Sequence, residues 1–165
     1  MDLDTILHSA AVNDPVLPCE IFVDAEGDWF HKGSKITRDD ILELFYEHLS
    51  LTPENEFIID WRGKRCSLDV ADTPFVISRV DRTASQEGEA ILLTLRHIKA
   101  PVRLVPETLY VGHANILYCR IRAGRFPARF SRPAYYQLAE WIGEDPAHGQ
   151  FFLELNGKSY PIATP

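Results

Sequence analysis

From Thr37 to Lys64, and again from Ser131 to Lys158, the chain passes through one order of signals: a helix cap, an amphipathic helix, and a hairpin closed by a Gly-Lys dipeptide. Thr37 stands against Ser131, Arg38 against Arg132, Leu44 against Leu138, Phe57 against Phe151, Gly63 against Gly157 and Lys64 against Lys158, every pair 94 residues apart with no gap. An internal duplication leaves such an order; so does choosing the best offset between two common strand–helix–hairpin units. Either way the pattern predicts an α+β fold of two consecutive strand–helix–hairpin units whose sheets pack together, with a short N-terminal helix before them.

Local signals set the boundaries of that expectation. Leu3, Ile6, Leu7, Ala10 and Ala11 fall on one helical face over residues 2–12, and Pro15 and Pro18 end that helix. Strands follow at Glu20–Asp24 and Asp28–Lys32 around a polar turn. Thr37, with Asp40 three residues on, predicts a helix N-terminus, and Ile41, Leu42, Leu44, Phe45 and Leu49 give that helix its apolar face up to Pro53. Phe57–Trp61, Arg62-Gly63 and Lys64–Val70 read as a hairpin, and Pro74–Val80 and Ala90–Arg96 as further strands. In the second half Ile116–Arg122 and Arg125–Phe130 flank Ala123-Gly124. Ser131 then caps a helix with Pro133 in its first turn and Gly143 past its end, and Phe151–Leu155 runs into Asn156-Gly157, a strong hairpin signal. The polar stretch Asp81–Glu89 is the natural divide. The expected organisation is residues 1–18 as helix and linker, 19–85 as a first α+β subdomain and 86–165 as a second.

The 165 residues are enough to bury roughly 70% of the surface an unfolded chain exposes. Apolar runs such as Ile91–Leu95 are far shorter than a membrane span, and Met1-Asp2-Leu3-Asp4 lacks the pattern of a secretory signal. Cys19, Cys66 and Cys119 form no CxxC, and an odd count argues against a disulfide framework. These features predict a soluble cytoplasmic protein.

Signatures of chemistry are sparse. HExxH, GxSxG and GxGxxG are absent. Gly157-Lys158-Ser159 looks like the end of a P-loop, but Phe152 occupies the position of its first glycine, so a plain hairpin turn is expected. His8, His31, His48, His97, His113 and His148 show no metal-ligand spacing. His97 and His113, with Asp72 or Cys119, are the one set that could build a metal or acid–base site. Asp72 reads more simply as an Asx-turn former before Pro74. No cofactor is expected.

Charge placement is the feature above background. Arg96, Lys99, Arg103, Arg120, Arg122, Arg125, Arg129 and Arg132 face only Glu107 over 37 residues, a charge of +7. The whole chain carries −7, which leaves −14 for the remainder. Period-two alternation puts Leu117, Cys119 and Ile121 on the buried side and Tyr118, Arg120 and Arg122 on the other. Phe126, Ala128 and Phe130 join the buried set, leaving Arg125 and Arg129 outward. A two-residue turn at Ala123-Gly124 would set Arg122 opposite Arg125, an unfavourable pair that calls for a negative partner. Arginine grips carboxylates and phosphates through two parallel bonds. The partner is either the chain's own acids (Asp24, Glu26, Asp28, Asp39, Asp40, Glu43, Glu47), an anionic small molecule, or an acidic protein surface. Nucleic acid is disfavoured by the pI near 5.3, although Tyr110 and Tyr118 could stack beside the arginines.

Three stretches carry a family resemblance: Asp28-Trp29-Phe30 with Gly33-Ser34, Ala71-Asp72-Thr73-Pro74-Phe75-Val76, and Ala128-Arg129-Phe130-Ser131-Arg132 leading into Tyr135-Tyr136-Gln137-Leu138. Over residues 19–80 and 116–142 the chain resembles a bacterial family known as domain of unknown function number 1285. The resemblance implies two consecutive small α+β portions and supplies no activity, substrate or catalytic residue. The leading functional reading is therefore non-enzymatic: a binding or regulatory module whose ligand-binding residues are Arg120, Arg122, Arg125, Arg129 and Arg132. The alternatives are a small metal-dependent hydrolase using His97, His113 and Asp72, and a homodimer or scaffold anchored by Trp29, Trp61 or Tyr135.

Overall fold

The computed structural model describes Ile6 and residues 16–165. The helix expected over residues 2–12 lies, Ile6 apart, outside the described residues. The chain divides into two compact units, Met1–Pro74 and Phe75–Pro165. The polar stretch Asp81–Glu89 runs through the hairpin inside the second unit.

In the first unit, β1 (Leu17–Val23), β2 (Trp29–His31), β3 (Ser34–Lys35), α1 (Asp39–Glu47), β4 (Leu49–Leu51), β5 (Phe57–Trp61) and β6 (Lys64–Val70) follow in order. Their six strands form one sheet in the order β3-β2-β1-β6-β5-β4. Its centre is the parallel pair β1·β6; the other pairings are antiparallel. Alternation decides which face is buried: Cys19, Ile21 and Val23 point inward from β1, while Pro18, Glu20 and Phe22 point outward. Arg62 and Gly63 both take positive φ in the two-residue turn that pairs Trp61 with Lys64. Helix α1 buries Ile41, Leu42, Phe45 and Tyr46. Within this core the Trp29 indole N–H donates to the Tyr46 hydroxyl at 2.9 Å, and that hydroxyl donates to the Pro74 carbonyl at 2.6 Å.

Thr37 does not cap α1. The N-cap is Arg38, whose side chain makes no capping bond and instead pairs with Asp40. The helix also ends at Glu47, short of Pro53, and Leu49 opens β4.

Cys19 and Cys66 form a disulfide across β1 and β6, with Cα atoms 5.0 Å apart. This corrects the expectation drawn from the odd cysteine count. Parallel pairing brings together two strands 47 residues apart, and only the third cysteine, Cys119, is left over, buried in the other unit.

The second unit holds β7 (Phe75–Ser85), β8 (Gly88–Leu95), β9 (Val102–Arg103), β10 (Tyr110–Val111), β11 (Leu117–Ile121), β12 (Phe126–Phe130), α2 (Arg132–Ala139), β13 (Ile142–Asp145), β14 (Gln150–Leu155) and β15 (Lys158–Pro161). Six strands form a sheet in the order β10-β11-β12-β7-β8-β9, again centred on a parallel pair, β7·β12. Ser131 caps α2 as expected, accepting from the Ala134 N–H at 3.3 Å. Ala134 and Leu138 are the buried residues of that helix. The Gln137 side chain, on its other flank, accepts from the Val80 N–H at 2.7 Å and ties α2 to β7.

The expected α+β fold of strand–helix–hairpin units is overturned. The chain is mostly β, built on two six-stranded mixed sheets and one small sheet. The segments after the two helices go to different places: β4–β6 complete the sheet of the first unit, while β13–β15 make a three-stranded sheet of their own. The physical reason is that parallel pairs between remote strands, and short strands such as β3, β9 and β10, organise the sheets. Neither leaves a periodic pattern in sequence. Among the described residues no helix is long and apolar enough to cross a membrane.

Candidate anion-binding groove

The β11–β12 hairpin pairs Tyr118 with Arg129, Cys119 with Ala128, Arg120 with Pro127 and Ile121 with Phe126. Its turn therefore spans four residues, Arg122–Arg125, closed by the Arg125 N–H donating to the Arg122 carbonyl at 3.3 Å. Arg122, Ala123 and Gly124 all take positive φ. The two-residue turn that would oppose Arg122 and Arg125 does not form. Each guanidinium lies over a ring instead: Arg122 over Phe75 at 4.9 Å, and Arg125 over Phe126 at 5.2 Å. Such cation–π contacts help to hold a guanidinium in place. Arg120 turns its guanidinium toward the Gly124 carbonyl at 3.4 Å.

Arg129 and Arg132 are placed differently. Both line an open cavity of about 390 Å³ with Asn115, Tyr135 and Tyr136. No Asp or Glu is among the described residues that line it. Arg129 comes from β12 and Arg132 from the first residue of α2, so a strand end and a helix start deliver two positive charges to one groove. Of the five arginines singled out in sequence, the structure brings these two together and leaves Arg120, Arg122 and Arg125 around the hairpin turn. Among the described residues the Arg132 side chain makes no hydrogen bond or ion pair, so its guanidinium keeps its full donor capacity.

Tyr118 departs from the expected alternation and is buried. Strand register explains it: Tyr110 pairs with Tyr118, and Tyr118 with Arg129, in one row across β10, β11 and β12. The two tyrosine rings stack at 5.3 Å, and the Tyr118 hydroxyl shares a 2.7 Å hydrogen bond with the His113 ring. Gly112 makes room for this stack, since a Cβ there would come within 2.6 Å of the Tyr118 ring. A Gly112→Ala change should cost about 1–3 kcal/mol by overpacking. Because Tyr118 stands opposite Arg129, it should also weaken anion binding. Thermal melts and phosphate titrations on one variant sample check both; native values in both would show that Gly112 does not position this row.

Cys119 is buried, and burial pushes its thiol up to about 12, toward the neutral form. No group of three or more His, Cys, Asp or Glu side chains that could hold a metal ion occurs among the described residues. His97 and His113 belong to the second unit and Asp72 to the first. Of the aromatic anchors proposed for a dimer, Trp29 is fully buried, Trp61 packs edge-on against His48 at 4.6 Å, and only Tyr135 is exposed. Asn115 and Tyr136 escaped the sequence reading as groove residues. Asn115 follows Ala114 in a turn where both take positive φ, a feature no periodicity reveals.

The chain is similar to two solved structures. A DUF1285 family protein from Silicibacter pomeroyi DSS-3 superposes with a TM-score of 0.73 at 21% identity, over 96% of this chain and 86% of that one. A DUF1285 family protein from Shewanella baltica OS155 gives a TM-score of 0.58 at 16% identity, over 73% of this chain and 90% of that one. No family model matches the chain, and no curated protein matches it. The chain thus shares the fold of DUF1285 family proteins, in line with the resemblance read in residues 19–80 and 116–142.

Proposed function

We propose that this chain is a non-enzymatic binding module for a small anion, with Arg129 and Arg132 as the residues that hold it. One observation carries the reading: two arginines from different elements line a single cavity that no described carboxylate enters. Charge-assisted, two-pronged bonds from guanidinium groups suit a phosphate or carboxylate ligand. Arg120, Arg122 and Arg125 lie toward the turn end of the β11–β12 hairpin, away from the end where Leu117, Arg129 and Phe130 line the groove, and add to the overall positive field rather than direct contacts. An acidic protein surface is the second reading for these three residues, favoured by the exposure of Arg120 and Arg125.

Calorimetric titration with pyrophosphate at low and high salt tests the proposal. Binding should weaken as salt rises. The paired change Arg129→Ala and Arg132→Ala should weaken it roughly a hundredfold or more, from charge-assisted bonds of about 1.5–3 kcal/mol each. Arg132→Ala alone, which removes no hydrogen bond or ion pair made among the described residues, separates lost binding from lost structure. Absence of binding at low salt, or native affinity in the folded double variant, would overturn the proposal.

A further inference from the structure

Two residues of the groove remain unexplained by an anion alone. Tyr135 and Tyr136 are 41% and 63% exposed, although tyrosine is a costly residue to leave in water when an inward position is available. They are neighbours on α2, and the helix spends Ala134 and Leu138, not its tyrosines, on the core. Their rings meet edge to face, with centroids 5.6 Å apart and planes at 60°. That arrangement makes a corner: a flat ring laid on one tyrosine meets the edge of the other. Both tyrosines line the cavity that holds Arg129 and Arg132.

Resting on the anion reading above, we infer that the groove takes an anion joined to a planar aromatic ring, of the nucleoside monophosphate class. Arg129 and Arg132 hold the phosphate, and Tyr135 and Tyr136 stack the base. Asn115, which lines the same cavity, makes no side-chain hydrogen bond within the described fold and offers both an amide donor and a carbonyl acceptor to a base edge. A cavity of about 390 Å³ lies within the range of small-ligand sites. Stacking on aromatic side chains contributes independently of base identity, because every base has a π face. The same chemistry occurs along single-stranded RNA. A net charge of −7 opposes a long polyanion far more than a single nucleotide, so the free nucleotide is the ligand assigned.

Titration of the full chain with ribose 5-phosphate, the four ribonucleoside 5′-monophosphates and a five-nucleotide single-stranded RNA tests this. The monophosphates should bind about tenfold tighter than ribose 5-phosphate, the gain expected from base stacking. Tyr135→Ala with Tyr136→Ala should erase that difference and leave ribose 5-phosphate binding unchanged, while Tyr135→Phe with Tyr136→Phe should preserve it. Equal binding of ribose 5-phosphate and the monophosphates overturns the inference and leaves the anion site standing. Loss of all phosphate binding overturns both. An RNA that binds much tighter than any monophosphate, with a steep salt dependence, assigns the groove to single strands and overturns the free-nucleotide assignment.

Discussion

Reduction of the Cys19–Cys66 disulfide should lower the stability of the first unit by about 4 kcal/mol, from the entropy of a closed loop of this length in the unfolded chain. The bond joins strands separated by 47 residues, so it removes many unfolded conformations. Both cysteines are buried between β1 and β6, where the reduced thiols would still fill the same space. The loss therefore comes chiefly from the unfolded state. Melting with and without a phosphine reductant should show the first unit's transition fall by roughly 15–30 °C. Cys19→Ala with Cys66→Ala should melt near the reduced protein, with a further small loss from missing volume. An unchanged melt on reduction would sink the prediction, as would three free thiols, Cys19 and Cys66 among them, in the air-oxidised protein by mass spectrometry. The bond also bears on location, because disulfides persist in oxidising surroundings and open in a reducing cytoplasm. Acid-quenched alkylation of cells expressing the protein reads its state there: labelled Cys19 and Cys66 would agree with the cytoplasmic expectation, and an unlabelled pair would oppose it.

The second large effect is expected at Tyr46. Its hydroxyl accepts from the Trp29 indole and donates to the Pro74 carbonyl, and all three groups are buried. Tyr46→Phe keeps the ring and its edge-on packing against Trp29 at 5.1 Å, yet leaves one donor and one acceptor unmatched away from water. Each such group costs about 1–3 kcal/mol, so the total should reach about 2–6 kcal/mol. A double-mutant cycle sharpens the test. Trp29→Phe alone removes one bond and some volume. In the pair Trp29→Phe with Tyr46→Phe the indole is no longer present to be stranded, so the loss should be less than the sum of the single changes. Denaturant melts of the four proteins measure this. Strict additivity, or a cost below about 0.5 kcal/mol for Tyr46→Phe, would show that the chain of bonds does not act as a unit.

These two sites also show where sequence reading stops. Local chemistry was legible. The Ser131 cap, the Arg62-Gly63 turn and the Asn156-Gly157 turn stand where the dipeptides and the hydroxyl place them, because each depends on residues within a few positions of one another. The buried face of β12 follows from spacing alone; that of α1 does so for Ile41, Leu42 and Phe45, while Tyr46 takes the place expected for Leu44 and Leu49. The concentration of positive charge between Arg96 and Arg132 is legible too. Thr37 does not take the cap because Arg38, one residue later, begins the helix without any side-chain bond to announce it.

What sequence by itself determined, then, is which short segments turn, which face of each is apolar, and where charge of one sign accumulates. The tertiary structure alone decided the parallel pairs β1·β6 and β7·β12, and with them the disulfide and the mostly β architecture. It also decided that Arg129 and Arg132 share a groove with Asn115, Tyr135 and Tyr136, while Arg122 and Arg125 rest on phenylalanine rings. The physical reason is one of range. Turn chemistry and side-chain period are properties of neighbouring residues, whereas strand partners and shared cavities arise when remote segments close on one another, and the entropy of that closure depends only weakly on the residues in between.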